Sequence, residues 1–395
     1  VLAVTLAIQA LVSMAVLTVP AMAPAMAELM RVSPSLLGVY IAVLYVGAIV
    51  ATISAGPLVL RYGAVRLSQW GLVNCAIGMA LLAWMPTMEV GLVSAFVTGL
   101  GYGPMTPASS HLLARSTPAH RVSLVFSIKQ TGVPVGGVMA GVFVPPIVVA
   151  AGVSWALWAV CAGCLLCALA AQPLRKALDA DRKRGVTGGG SQYHPARAAV
   201  AAFTGPLKLV AGDTQLRRLA AVSFVFSTMQ MCLAAFLVTY FTADLGQTLV
   251  AAGAALAAAQ VGGVGGRVLW GWIADRWIPP LRMLALLATL MALCTLATAA
   301  LQPTWPVAVA LVLLVVFGAS ATGWNGVYLA EVARQAPPGQ AGVATGGSLA
   351  FTFIGSMLGP LWFGALAAWS GSHRVGYVVL AVPALLCAWV LRRRG

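Results

Sequence analysis

Apolar positions along the 395-residue chain run together and polar ones are bunched between them. Twelve stretches, roughly 4–27, 35–60, 67–86, 89–113, 122–149, 153–172, 217–241, 248–272, 281–301, 306–330, 342–368 and 375–391, are each mostly apolar. A helix that crosses a bilayer needs about 20 such residues, so the pattern predicts twelve spanning helices. Strands of a barrel would alternate apolar and polar over about ten residues, whereas Val307 to Phe317 is apolar on every side. Helices also satisfy their backbone polar groups internally, as a bilayer demands. The first run is too long for a signal peptide and eleven more follow it, so it is predicted as the first helix.

Composition agrees. The chain is 61% hydrophobic and 8% charged, against about half and about a quarter in soluble domains. The one long polar stretch, Gln172 to Arg197, has a flexible GVTGGGSQ core and separates six helices from six. The predicted organisation is a bundle at 1–172, a linker at 173–216 and a second bundle at 217–395. The expected fold is an all-α integral membrane protein, with twelve transmembrane helices in two pseudo-symmetric six-helix bundles.

A net charge of +15 in a soluble protein would point to nucleic acid. Here 19 of the 23 Lys and Arg residues fall in alternate connections, the linker included, while Arg31 and Arg374 lie on the other side. By the positive-inside rule both termini and the linker face the cytoplasm of a cell (inner) membrane. No aromatic-interleaved basic motif supports a nucleic-acid partner. The seven cysteines all lie within spans, and Cys161, Cys164 and Cys167 share one helix side. Three thiols without a fourth ligand fall short of a metal set, so they read as packing; no cofactor or metal is expected.

The halves look like distant copies. GPLVLRYG (Gly56 to Gly63) after the second helix and GWIADRWI (Gly271 to Ile278) after the eighth are offset by 215 residues, with Gly, a branched aliphatic and Arg in register. Internal repeats of this kind belong to transporter folds with a site near the membrane midplane. The chain resembles the major facilitator superfamily over its whole length. That family's loop signature, roughly G-x-L-A-D-R-x-G, is matched by Gly56, Leu58, Arg61 and Gly63, with Leu60 where the acid is expected, and again by Gly271, Ala274, Asp275 and Arg276. The resemblance makes Gly56, Arg61, Gly271, Asp275 and Arg276 the candidate gating latch. It also implies that helices five and eight, and two and eleven, meet across the halves. Small residues four apart, Gly132 and Gly136, Gly262 and Gly266, Gly342 and Gly346, are then expected to make smooth seams there.

Two cations, Lys129 and Arg267, are left inside predicted helices. A charge at the centre of a span costs about 2.5–3.5 kcal/mol on insertion scales. Lys129 lies eight residues beyond Arg121 and Arg267 eight before Asp275, so each sits about 12 Å in from the boundary, too deep for a lysine to snorkel without a water-filled cavity. None of the eight acids falls at mid-membrane. Carbonyls, water or an incoming anion must therefore balance the two charges. Arginine offers a planar fork for a carboxylate and lysine a mobile point charge. Arg267 followed by Gly271 resembles the helix-eight arginine of the monocarboxylate and oxalate/formate branch.

Gln260 shares the Arg267 face by spacing, and Gln130 adjoins the lysine. The resemblance puts Gln230 and Asn325 in cavity-lining helices, with Tyr328 one turn beyond Trp324. Tyr102 is a further candidate, as are Gln9 and His111, the last nearer the cytoplasmic rim. Each has two readings, ligand contact or interhelical hydrogen bond. The functional expectation is a monomeric secondary transporter for a small organic anion, a mono- or dicarboxylate, working by alternating access as proton symporter or anion exchanger. A drug or metabolite exporter for neutral or cationic compounds is the rival, raised by G-V-P-V-G-G-x-x-x-G from Gly132 to Gly141, which resembles the superfamily's helix-five Gly/Pro motif of exporters. No H-E-x-x-H, G-x-S-x-G or P-loop pattern supports an enzyme.

Overall fold

The computed structural model describes residues 1–117, 122–179, 206–337 and 340–392. Among these every regular element is a helix, and eleven helices are long and apolar enough to cross a membrane; the fourth span below, broken at its centre, is the one outside that set. The spans are the first, Leu2–Ala21, continued by Ala23–Met30; the second, Leu37–Tyr62; the third, Ala64–Trp84; and the fourth, Met88–Tyr102 with Met105–Ser116. They continue with the fifth, Val122–Gln130 with Gly132–Ala151; the sixth, Val153–Ala170; the seventh, Thr214–Ala243; and the eighth, Leu249–Arg276. The last four are the ninth, Pro280–Ala300; the tenth, Val307–Gly323 with Asn325–Gln335; the eleventh, Ala341–Ser370; and the twelfth, His373–Arg392.

The fourth run is thus not one long helix. It breaks at Gly103 and Pro104 because proline cannot donate to the preceding turn and its ring crowds it. The fifth breaks at Thr131, three residues before Pro134, and the tenth at Trp324.

Packing repeats with a shift of six spans. First packs on fifth, second on fourth and third on sixth, and in the same way seventh packs on eleventh, eighth on tenth and ninth on twelfth. Across the halves the fifth lies on the eighth, the second on the eleventh and the first on the seventh.

The glycine seams need correction. Gly132 and Gly136 face the first span, at Gln9 and Ala10, and Gly262 and Gly266 face the tenth, at Val315 and Ala319. Both pairs close contacts inside one half. Gly346 meets open space. The cross-half contact of fifth and eighth runs instead through Gly137 against Gln260 and Gly141 against Gly253, and that of second and eleventh through Gly38 against Pro360, with Gly364 against Ser35 in the turn just before the second span. One residue along a helix turns the side by about 100°, so spacing alone names a face without saying which neighbour it meets.

A polar knot ties the seventh span to the twelfth. Asp244 accepts hydrogen bonds from the Ser372 hydroxyl at 2.5 Å and the His373 amide at 3.1 Å, and its second oxygen lies 2.6 Å from His373 Nδ1. Burial works to raise this carboxyl, but the bonds from His373 and Ser372 hold it below the usual aspartate value. A depressed value means that the stabilisation is complete above the unfolded-state pKa of about 4 and is lost as pH falls through the native one. Asp244→Ala is expected to lower stability by about 2 kcal/mol, the scale of hydrogen bonds to a charged group, and to remove this part of the acid sensitivity. Thermal unfolding of both proteins between neutral and strongly acid pH checks it; identical curves would contradict it.

Candidate functional site

Within an α-helix the Gln130 carbonyl would accept from the amide four residues on, but that residue is Pro134, which has no N–H. A carbonyl is left without its intrahelical donor in the middle of the protein, where a missing partner is costly. Arg267 of the eighth span supplies the donor: its Nη1 lies 2.5 Å from the Gln130 oxygen. Its Nε donates to the Thr322 carbonyl, at 3.2 Å, just before the tenth span breaks. One guanidinium therefore joins the breaks of the fifth and tenth spans, across the two halves. The fourth span has the same device on a smaller scale. Pro107 leaves the Gly103 carbonyl without a helical donor, and the Thr52 hydroxyl donates to it at 3.0 Å.

Lys129 sits one residue before that carbonyl and is 1% exposed; Arg267 is 7% exposed. The ammonium donates to the Gln130 side-chain oxygen at 3.3 Å. Among the described residues neither buried cation has a carboxylate within ion-pair distance; Glu331 is taken by Arg334 and Asp244 by His373. Both line one cavity of about 450 Å3. Tyr102, Gln130, Gln230 and Asn325 line it as well, together with Ser127, Ser227, Thr352 and Ser356. The result is a pocket with two cations and several hydroxyls and amides set among apolar side chains.

Two candidates are not brought to this cavity. Gln260 is buried against Gly137 in the seam of fifth and eighth spans; it shares the Arg267 side, but only the longer arginine reaches the break. Tyr328 is fully buried with its ring 5.2 Å from Trp324. Trp324 in turn donates its indole N–H to the oxygen of the cavity-lining Gln230 at 3.2 Å. Gln9 lies behind the fifth span, bonded to Ser13. Sequence reasoning missed Tyr45, Phe126 and Phe353, which also line the cavity. Tyr45 bridges the halves through its hydroxyl, 3.3 Å from Met231 Sδ; a tyrosine mid-span, whose hydroxyl needs a partner, was the available signal.

The latch residues sit apart from the cavity. Gly56 and Gly271 face open space. Arg61 lies over the Tyr62 ring and Arg276 over Trp272, with Asp275 exposed beside it. The acid absent at Leu60 is matched by one from further along the chain. Asp179, after the sixth span, is buried and accepts from the amides of Val65 and Arg66 at 2.9 and 3.1 Å, capping the third span. It fits because Gly63 has φ 94° and no side chain; a Cβ there would meet the Asp179 carboxylate.

The Major Facilitator Superfamily model matches residues 3–348. The chain belongs to this family, and it is a multi-pass membrane transporter rather than an enzyme. Over 379 residues, 93% of the chain, it is 25% identical to the gentisate transporter of Corynebacterium glutamicum, of which it covers 81%. It is 36% identical over 155 residues, 38% of each chain, to a probable nitrate/nitrite transporter, NarK2, of Mycobacterium tuberculosis. Among solved structures the nucleoside transporter NupG superposes with a TM-score of 0.77 at 14% identity, covering 100% of this chain and 99% of that one; this likeness concerns the fold alone.

Removing the Asp179 cap by Asp179→Ala is expected to cost about 1 kcal/mol, the usual value for an N-cap. Gly63→Ala is expected to cost more, since it adds a left-handed φ penalty and a collision. Melting temperatures of the two variants check the order; an unaltered Gly63→Ala protein would refute it.

Proposed function

We propose that the chain moves a small organic anion, a mono- or dicarboxylate, across the inner membrane by alternating access, as proton symporter or anion exchanger. The observation that carries this reading is two buried cations, one from each half, in one cavity without a carboxylate partner. The anion would accept from the Lys129 ammonium and from the Arg267 Nη2 edge, while Gln230, Asn325, Tyr102 and Gln130 would complete its shell. The relatives named for gentisate and for nitrate or nitrite are consistent with an anionic cargo.

The moving bodies in this reading are 1–172 and 217–395, with both termini cytoplasmic. The second and eleventh spans are closed together at Gly38 and Pro360, whereas the cavity runs toward Ser110, Phe126 and Ala330, which would face the cytoplasm. Arg267 ties the halves through the Gln130 carbonyl. An anion on the free edge of the same guanidinium shares its positive charge with the two carbonyls and so loosens that tie, which couples loading and rocking through one side chain. The latch of Arg61, Asp275 and Arg276, with Gly56 and Gly271, would engage in the opposite state. An exporter of cationic compounds is disfavoured, because two fixed positive charges repel such cargo.

In binding assays with purified protein, Lys129→Gln is expected to weaken carboxylate affinity roughly 10- to 100-fold, following about 1.5–3 kcal/mol for a hydrogen bond to a charged group. Arg267→Lys keeps the charge but replaces the planar fork, whose separate N–H groups reach the two carbonyls, by a compact ammonium, so in proteoliposomes it is expected to lower turnover more than affinity. Wild-type affinity in Lys129→Gln, or stabilisation of the native protein by cationic dyes but not by carboxylates, would overturn the anion reading.

A further inference from the structure

Beside the central cavity lies a second chamber of about 310 Å3 between the second, fourth and eleventh spans. The two share Thr106, Leu349 and Phe353, so they adjoin. Their chemistry differs. The second chamber is walled chiefly by Ile49, Ile53, Ala350 and Ile354. The Thr52 hydroxyl at its edge is already engaged, donating to the Ala48 and Gly103 carbonyls at 2.7 and 3.0 Å. Pro206 and Leu207 form part of the wall, with Pro206 seated against Gly347, and Gly346 opposes nothing. The space is partly open, with Gly346 exposed at its wall, but its lining is mostly apolar, and such a lining takes apolar matter: an enclosed cavity of about 150 Å3 lined by Leu, Ile and Phe holds benzene. This one is about twice that size, and aromatic rings stand where it meets the cations. Tyr45 lies 6.2 Å from both Phe353 and Tyr102, edge-on to the latter.

Resting on the anion reading above, we infer that this chamber receives the ring of an aromatic monocarboxylate whose carboxylate is held at Lys129. Charge and apolar bulk are then recognised in separate places. The chamber discriminates between carboxylates that the cations alone would treat alike, and an inorganic anion gains nothing from it. An acyl chain of a lipid is the competing occupant of such a space; the shared wall with the charged cavity favours the ring.

The test uses the full chain with benzoate and acetate as probes. Wild type is expected to bind benzoate about tenfold or more tighter than acetate, the scale expected for burying a ring. Ala350→Trp, which fills the chamber, is expected to bring that ratio close to unity, while Lys129→Gln weakens both anions by a similar factor. Should Ala350→Trp fold poorly, alkylation of Ala350→Cys by N-ethylmaleimide, above the background of the seven native thiols, gives an independent readout. It is expected to slow with saturating benzoate and not with saturating acetate. An unchanged ratio in Ala350→Trp, equal protection by both anions, or protection by added lipid and not by benzoate overturns the inference and leaves the anion reading standing. Binding of neither carboxylate removes both together.

Discussion

The structure turns on a carbonyl that the chain itself leaves without a donor. Pro134 cannot bond Gln130, the fifth span breaks, and Arg267 from the other half crosses over to take the bond. A buried arginine is expensive in a bilayer, and an orphaned carbonyl is expensive too; together they offset each other. Because guanidinium carries five donors, satisfying Gln130 and Thr322 still leaves an edge turned to whatever enters. Lys129, one residue before the carbonyl, is placed by the same break. Helix geometry, charge placement and the link between halves are thus one local arrangement.

That arrangement gives the cavity its character. Its cations come from different halves, the fifth and eighth spans, so a guest that engages both is held by two bodies at once. The rest of the wall alternates hydroxyls, amides and tyrosines, which orient a ligand without adding charge, with apolar side chains such as Phe126, Val133, Leu329 and Phe353. The adjoining apolar chamber, by contrast, has as polar side chains Thr52, whose hydroxyl is engaged, and Thr106 at the shared edge. Both cations lie on the central side of the Thr106, Leu349 and Phe353 boundary, and the adjoining space beyond it carries no charged side chain.

Much of the fold could be read from the chain because bilayer physics is severe: a run of about 20 apolar residues has few alternatives to a spanning helix. The two cations stood out for the same reason, as charges where none is tolerated without use. What could not be read was which neighbour each helix face meets. Gly132 and Gly136 turned out to serve the first span, and Gln260 lies in a seam although it shares a side with Arg267. Asp179 capping the third span depends on a contact between residues 114 apart, and nothing local to Leu60 or Gly63 announces it. Pro134 and Gln130 were both visible, but the consequence of their spacing appears only when the arginine that answers it is seen.

The most direct test uses the scarcity of lysine, of which the chain has four. With 15N-labelled lysine, solid-state NMR resolves few ammonium signals, and Lys129→Arg identifies the one that matters. Dipolar coupling to a bound 13C-carboxylate is expected to place that carbon within about 4 Å of Lys129 Nζ, as a charge-assisted hydrogen bond requires. A saturated carboxylate that shows no coupling to Lys129, or coupling of this ammonium to a carboxylate of the protein itself, would contradict the account.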